Sequence, residues 1–192
     1  VERWEKIERE KLRAIVHAQD YQVEAAKTGS EEKDGVRATF WKLKLGNDWT
    51  VPVVELVRGE PGGTTILVAD DGRKSVAAEA ERLLAAGQRV LAVDLFYFGE
   101  SKIAQRDFLF ALLVAAVGER PLGIQASQLN AVARWSITQS KNDPVSVVAV
   151  GPRSSLIALI AAGLEQKAID RLELHGPYGS LKQSIEQNWS VE

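Results

Sequence analysis

Side chains able to do covalent, proton-transfer or metal chemistry are few in this chain, and they gather at a handful of short stretches. Cysteine is absent and there are only two histidines, His17 and His175. That excludes disulfides, thiol catalysis and cysteine-ligated metals, and it leaves little for histidine metal sites or proton relays. Asp70-Asp71-Gly72 places paired carboxylates directly after an apolar run and ahead of a helical stretch. Such a pair can hold Mg2+ at a strand end, or it can cap the helix that follows. Capping is the simpler reading, and it applies equally to Asp94 at the next strand end. Gly151-Pro152-Arg153-Ser154-Ser155 opens another helix. Backbone N–H groups, helix dipole and arginine could together cradle an anion there. The stretch is neither a P-loop, since it lacks the G-K-[ST] ending, nor a G-x-G-x-x-G turn. The plainer expectation is that Arg153 pairs with a carboxylate such as Asp70 or Asp71, and that Ser154 and Ser155 cap the helix. The aromatic run Phe96-Tyr97-Phe98, with Phe108 and Phe110, could stack on a sugar or base, but core packing is the commoner use of such rings. No cofactor and no metal is expected.

The elements that must position these residues follow from hydrophobic period and turn chemistry. Val1 to about Lys27 reads as helix, with Trp4, Ile7, Leu12, Ile15 and Val16 near one face. Thr28–Gly35 is polar and glycine-flanked and reads as a loop. Val36–Leu45 and Val51–Val57 read as antiparallel strands around the Gly46-Asn47-Asp48 turn. Pro52 places the second of them near a sheet edge or delays its start. From Thr64 onward the grammar changes. Thr64–Ala69, Arg89–Val93 and Val145–Val150 are short, largely apolar strands, and Ile169–Leu174 is a fourth strand. Helices separate them, at Ser75–Ala86, at Phe108–Val117, at an amphipathic Gln125–Gln139, and at Ser154–Leu164. Gly118–Gly123, with Pro121, reads as a loop, and Asn142-Asp143-Pro144 as a turn. Unbroken apolar strands alternating with helices mean a parallel sheet covered on both faces. The expected fold is α/β: a doubly wound, mostly parallel sheet of six strands, with an N-terminal helix and antiparallel leading strands. Residues 1–34 form the N-terminal helix and loop, and 35–192 a single α/β domain.

This order resembles the α/β-hydrolase superfamily, and within it the acetyl-xylan-esterase and dienelactone-hydrolase group. Four pieces carry the resemblance. Thr64–Ala69 followed by Asp70-Asp71-Gly72 stands where that group has its oxyanion-hole loop. Gly87-x-x-Val90-Leu91-Ala92-Val93-Asp94, then Gly99-Glu100-Ser101, resembles the group's "G-x-x-V-x-x-x-D…G-x-S" stretch. Val145–Gly151 running into Leu156–Ala162 resembles the strand, elbow and helix that carry the nucleophile, and Ile169–Leu174 the next strand. The resemblance covers about Gly35 to Gly179 and implies an ester hydrolase.

In a G-x-S-x-G elbow the serine occupies a strained strand-to-helix turn, and the backbone N–H after it faces the reacting carbonyl oxygen. Here the pentapeptide keeps the first glycine as Gly151, puts Arg153 at the nucleophile position and Ser155 at the last glycine. A guanidinium stays protonated at neutral pH and is no nucleophile. Ser154 is one residue late. In this group the acid and histidine follow later strands, and these residues do not reach them. His175 comes at the end of the fourth of these strands, too early for that role. The resemblance therefore implies a degenerate hydrolase domain, a pseudoenzyme with a scaffold or binding role in a longer esterase-like protein. The alternative is an active serine esterase that uses Ser154 or Ser155, with the acid and histidine supplied from outside the segment.

Composition is consistent with this. A hydrophobic share of 45% suits a packed core, and a net charge of −2 gives no electrostatic case for nucleic acid or an anionic membrane. The longest apolar runs fall short of a membrane span. The chain contains no methionine, even at position 1, which reads as a processed product or an excerpt. Expected partners are a carbohydrate ester or another small molecule, a second copy, or the rest of a longer chain. The resemblance to polysaccharide esterases leans toward export to the periplasm or beyond.

Overall fold

The structure is a computed structural model and describes residues 2–103, 107–140, 145–165 and 167–186. Helix α1 spans Glu2–Val16. Three antiparallel strands follow: β1 (Val23–Lys33), β2 (Val36–Leu45) and β3 (Trp49–Arg58). The α/β part then runs β4 (Gly63–Ala69), α2 (Ala77–Ala85), β5 (Gln88–Val93), α3 (Asp107–Ala116), α4 (Pro121–Gln139), β6 (Val145–Val150), α5 (Pro152–Leu164) and β7 (Ile169–His175). A short helix α6 (Leu181–Glu186) comes last. The strands form one sheet in the order β1-β2-β3-β5-β4-β6-β7. β1 to β3 pair antiparallel, β3 pairs antiparallel with β5, and β4 to β7 run parallel. The doubly wound, mostly parallel α/β reading stands.

The parallel strands β5, β4 and β6 lie at the centre because they are apolar on both sides. In β4, Ile66, Leu67 and Val68 are each 0% exposed, and burial of such a side chain contributes about 1.5–3 kcal/mol. One face of the sheet packs on α2 through Leu67, Val90, Val148, Leu83 and Leu84. The other packs on α4 and α5 through Ile66, Leu91, Val147, Leu129, Val132 and Ile157. On that second face Trp41 meets Trp135 edge-on, with ring centroids 5.5 Å apart. Beside them Glu55 accepts from Trp41 Nε1 (2.7 Å) and Arg89 Nε (2.6 Å). Thus Arg89, on an otherwise apolar strand, is buried as one half of an ion pair.

Several expectations are corrected. The first helix ends at Val16, and Val23–Lys33 is a seventh strand where the sequence reads as helix and loop. Among the described residues only β2 pairs with β1, and most of its residues are exposed, so ladder hydrogen bonds rather than burial hold it and no apolar alternation marks it. Asp34 and Gly35, where the sequence reading divides the chain, form the hairpin turn, with φ of 52° and 74°. β3 is internal despite Pro52. The Pro52 carbonyl accepts from Asp94 N, so its ring nitrogen points to the same side, one residue before the β3–β5 ladder begins at Val53. The missing N–H therefore costs the β2–β3 ladder nothing and falls where the β3–β5 ladder ends. Of the residues read near one face of the first helix, Trp4, Ile7 and Ile15 are 65%, 47% and 60% exposed; Leu12 and Val16 make the inward contacts. Pro121 is not in a loop but opens α4, as Pro152 opens α5, because the first helical turn needs no N–H from its first residue. α4 is not amphipathic: residues 123–133 are buried all round. The Asn142-Asp143-Pro144 turn lies outside the described residues.

α1 meets α4 at Gly123, where a Cβ would run into the Val16 carbonyl. Gly123→Ala therefore forces the two helices apart, and urea denaturation should show a loss of about 1–3 kcal/mol. The neighbouring turn makes a second prediction. Burial is the main reason the Tyr21 phenol is pushed up to about 12 from an ordinary 10.0. Folding then favours the protonated ring, so this contribution is complete below pH 10.0 and is lost as pH rises toward 12. Phenolate absorbance across that range should show one late-titrating tyrosine coincident with loss of stability.

Candidate functional site

The parallel strands end on one side of the sheet, and three of the four ends carry a polar residue. Asp70 follows β4, Asp94 follows β5, Gly151 follows β6, and His175 closes β7. In open α/β sheets this rim is where ligands bind. The neighbouring ends are tied by main-chain bonds, from Asp70 N to the Val150 carbonyl (3.0 Å) and from Gly151 N to the His175 carbonyl (2.8 Å).

Asp70 is the hub of the Gly151–Ser155 turn. Its Oδ2 accepts from Arg153 N (3.1 Å), and its Oδ1 accepts from Ser154 N (2.6 Å) and Ser154 Oγ (2.7 Å). The Arg153 guanidinium lies alongside, with Nε 3.6 Å from Oδ2 and Nη2 donating to the Asp70 carbonyl at 3.4 Å. Its carbon end sits 5.4 Å from the centre of the Phe98 ring. A carboxylate is therefore bound at the N-terminus of α5, satisfying the donors that helix leaves open. Gly151 makes the approach possible. It has φ 104°, and a Cβ there would stand 2.5 Å from Asp70 Cγ.

Asp94 does the same for the loops beside β5 and is only 1% exposed. Its Oδ1 accepts from Arg73 N (2.7 Å), and its Oδ2 from Arg73 Nη1 (2.7 Å) and Glu100 N (3.0 Å). The Asp94 carbonyl accepts from Ser101 Oγ at 3.0 Å. Two buried glutamines of α4 hold the next turn. Phe96 N donates to Gln128 Oε1 (2.7 Å), and Gln125 Nε2 donates to the Phe96 carbonyl (2.9 Å).

The expected site residues are thus partly brought together and partly reassigned. Arg153 does pair with Asp70. Asp70 does cap a helix, but it is α5, separated from it in sequence, rather than the helix that follows it. Asp71 is exposed, and Gly72 lies in the turn that Asp94 holds. Ser154 and Ser155 are not caps: Gly151 is the N-cap, Ser154 Oγ donates to Asp70, and Ser155 Oγ is buried without a hydrogen bond. Asp70 occupies the N–H groups an anion would need at this turn. Phe96 packs edge-on against Trp49 at 5.0 Å and against Val114 and Ile124, which makes it core; the side chains of Phe108 and Phe110 lie outside the described residues. His17 has its Nδ1 2.6 Å from the Gly118 carbonyl.

One cluster was not foreseen. Glu79, Glu173 and His175 bring possible metal-ligand atoms within 4.8 Å of one another. Arg82 Nη2 donates to Glu79 Oε1 (2.5 Å) and to Glu173 Oε1 (2.7 Å), and His175 Nε2 lies 2.9 Å from the same Glu173 oxygen. A guanidinium already holds both carboxylates. The His175 hydrogen bond, followed by Arg82, keeps the Glu173 carboxyl below the usual range. The i,i+2 spacing of Glu173 and His175 on one strand face was the available signal; Glu79 and Arg82 come from a distant helix.

No protein-family profile and no curated protein matches the sequence. Solved structures do. A candidate acetyl xylan esterase from Bacteroides fragilis superposes with a TM-score of 0.72 at 16% identity, over 85% of this chain and 50% of that one. Acetyl xylan esterase 1 from Thermoanaerobacterium sp. gives 0.67 at 11% identity, over 96% and 62%. A dienelactone hydrolase from Anabaena variabilis gives 0.50 at 16% identity, over 81% and 63%. The chain has an α/β-hydrolase-like fold, and it spans half to under two thirds of the length of these proteins.

The two carboxylates predict different losses. Asp94→Ala takes the buried acceptor away from Arg73 N, the Arg73 guanidinium and Glu100 N, leaves that guanidinium paired with Glu100 alone, and should cost about 3 kcal/mol. Asp70→Ala removes a helix cap and should cost about 1–2 kcal/mol. Urea unfolding of the two variants, followed by far-UV circular dichroism, checks the order.

Proposed function

We propose that this chain is a catalytically degenerate, carbohydrate-esterase-like domain that serves as a scaffold or binding unit within a longer esterase-like protein. One observation carries the reading. The N–H of Ser154, the residue after the nucleophile position, donates to the Asp70 carboxylate at 2.6 Å. In the elbow architecture that N–H stabilises negative charge developing on the substrate oxygen. Here it faces a permanent negative charge from the chain itself, contributed by the very loop that stands in the oxyanion-loop position. Arg153 at the nucleophile position supports the same conclusion, since it belongs to a helix and offers only a cation.

A carbohydrate ester is the ligand class suggested by the names of similar structures such as acetyl xylan esterase 1 from Thermoanaerobacterium sp.. The competing reading, an active serine esterase, needs Ser154 or Ser155 as nucleophile. Both are 0% exposed, and the Ser154 hydroxyl is committed to a carboxylate rather than to an imidazole base.

A fluorophosphonate probe, read by intact mass on the folded chain, tests the proposal. The expected result is no adduct, with p-nitrophenyl acetate hydrolysis at the buffer rate. A stoichiometric adduct on Ser154 or Ser155, with ester turnover abolished by Ser154→Ala or Ser155→Ala, overturns it.

A further inference from the structure

The two halves of the sheet are unequally covered on the α2 side. α2 packs over β4, β5 and β6 through Leu67, Val90 and Val148, and it touches β3 at Leu56. Strand alternation and the β2–β3 register put Phe40, Lys42, Pro52 and Val54 on the same face as Leu56. Beyond α2 these four stay half-buried or exposed. They line a cavity of about 940 Å³ that Lys74, Ala77 and Ala80 bound from the α2 side. That is the size of a site for a small organic molecule. The cavity shares no residue with the Asp70–Arg153–Ser154 clamp, and its described lining lies between Thr28 and Gln128.

The lining is largely apolar, and Phe40, Pro52 and Trp49 offer flat faces. Its available polar groups are mostly donors. Lys42 and Lys74 make no ion pair among the described residues. Arg73 is held by Asp94 and Glu100, and this occupies Glu100, the one acidic side chain of the described lining. The hydroxyls of Thr28 and Ser101 already donate to main-chain carbonyls. Gln128, on the α4 side of the cavity, is 1% exposed. Its Oε1 accepts from Phe96 N at 2.7 Å, which fixes the orientation of the amide, and its Nε2 donates to no described residue. A buried amide N–H without an acceptor is rare and calls for one.

These features select a class of ligand. Two unpaired ammonium groups favour an anion, and the flat apolar walls favour an aromatic body. The Gln128 amide asks for an oxygen acceptor at another point of the same molecule. A sugar fits poorly, because its hydroxyls donate as well as accept and the cavity offers few acceptors to receive them.

We propose that this cavity binds a small aromatic carboxylate, with its ring against Phe40, Pro52 and Trp49, its carboxylate toward Lys42 and Lys74, and an oxygen acceptor toward Gln128 Nε2. The site is separate from the elbow, so it does not depend on the proposed lack of catalysis.

Isothermal titration calorimetry of the 192-residue chain with 6-methoxy-2-naphthoate tests this. The expected result is one saturable site whose affinity falls as salt rises. The neutral analogue, 6-methoxy-2-naphthalenemethanol, lacks the charge and should bind about tenfold more weakly. Lys42→Glu combined with Lys74→Glu should weaken the naphthoate about tenfold or more and leave the alcohol unchanged. Both lysines are exposed and make no ion pair, so the fold should be kept, as circular dichroism will show. Gln128→Glu keeps an acceptor for Phe96 N and removes the free donor. It should erase the advantage of the methoxy compound over 2-naphthoate, which lacks the second oxygen. Absence of saturable binding at millimolar naphthoate overturns the proposal. So does equal affinity for the alcohol, a double lysine variant that binds like the wild type, a methoxy advantage that survives Gln128→Glu, or xylobiose binding more tightly than the naphthoate. The double lysine variant decides the matter if Gln128→Glu does not fold.

Discussion

The carboxylate of Asp70 joins two parts of the molecule that have no local reason to meet. It leaves the end of β4 and receives the first free N–H groups of α5, together with a hydroxyl of that helix. A helix N-terminus buried at a sheet edge without such a partner would leave several donors unsatisfied. The carboxylate settles that, and the helix dipole favours the charge. Gly151 lets the chain turn tightly enough for the contact, and Arg153 lies over the outside of it. The strand, the turn and the helix are thereby set with respect to one another by one side chain.

The same solution recurs one strand along. Asp94 collects the main chain of two loops and the guanidinium of Arg73, while Gln125 and Gln128 fasten both sides of Phe96. The rim of the sheet is thus satisfied by groups the protein carries itself. Charges and dipoles that could stabilise a reacting substrate elsewhere are spent on internal structure here. That is the physical content of the degenerate site proposed above, in a fold shared with esterases at identities too low to speak for their chemistry.

The parallel core was legible in the sequence because β4, β5 and β6 are largely apolar runs bounded by Gly, Asp or Asn, with helices between; β7 carries charged residues. The elbow was legible as a strand–Gly–helix junction, and Arg153 and Asp70 were already candidates to pair. What was not legible has two causes. Strand β1 has both faces largely in water, so the period that marks a strand is missing, and only the Asp34-Gly35 pair hinted at a hairpin. The assignment of caps failed for a different reason. Asp70 stands next in sequence to one helix and next in space to another, and only the strand order decides between them. Similarly, Ser154 and Ser155 have the right type for capping, but the helix begins two residues earlier than the apolar pattern, at Pro152, and moves both past the cap position.

The order of strands also bears on how the chain reaches this state. β4 sits between β5 and β6, and its pairing with β6 joins Thr65 to Ser146. The Asp70–Ser154 contact closes over 84 positions. The entropy of so long a loop is lost before any of the contact's gain is collected, which slows folding in proteins built from distant pairings. The hairpins β1–β2 and β2–β3 and the β4–α2–β5 unit can form from neighbouring segments. Seating β6 beside β4, and with it the cap on α5, belongs to the late part of the reaction. In the reverse direction, the same clamp resists the first separation of the two halves and so makes the native state slow to open.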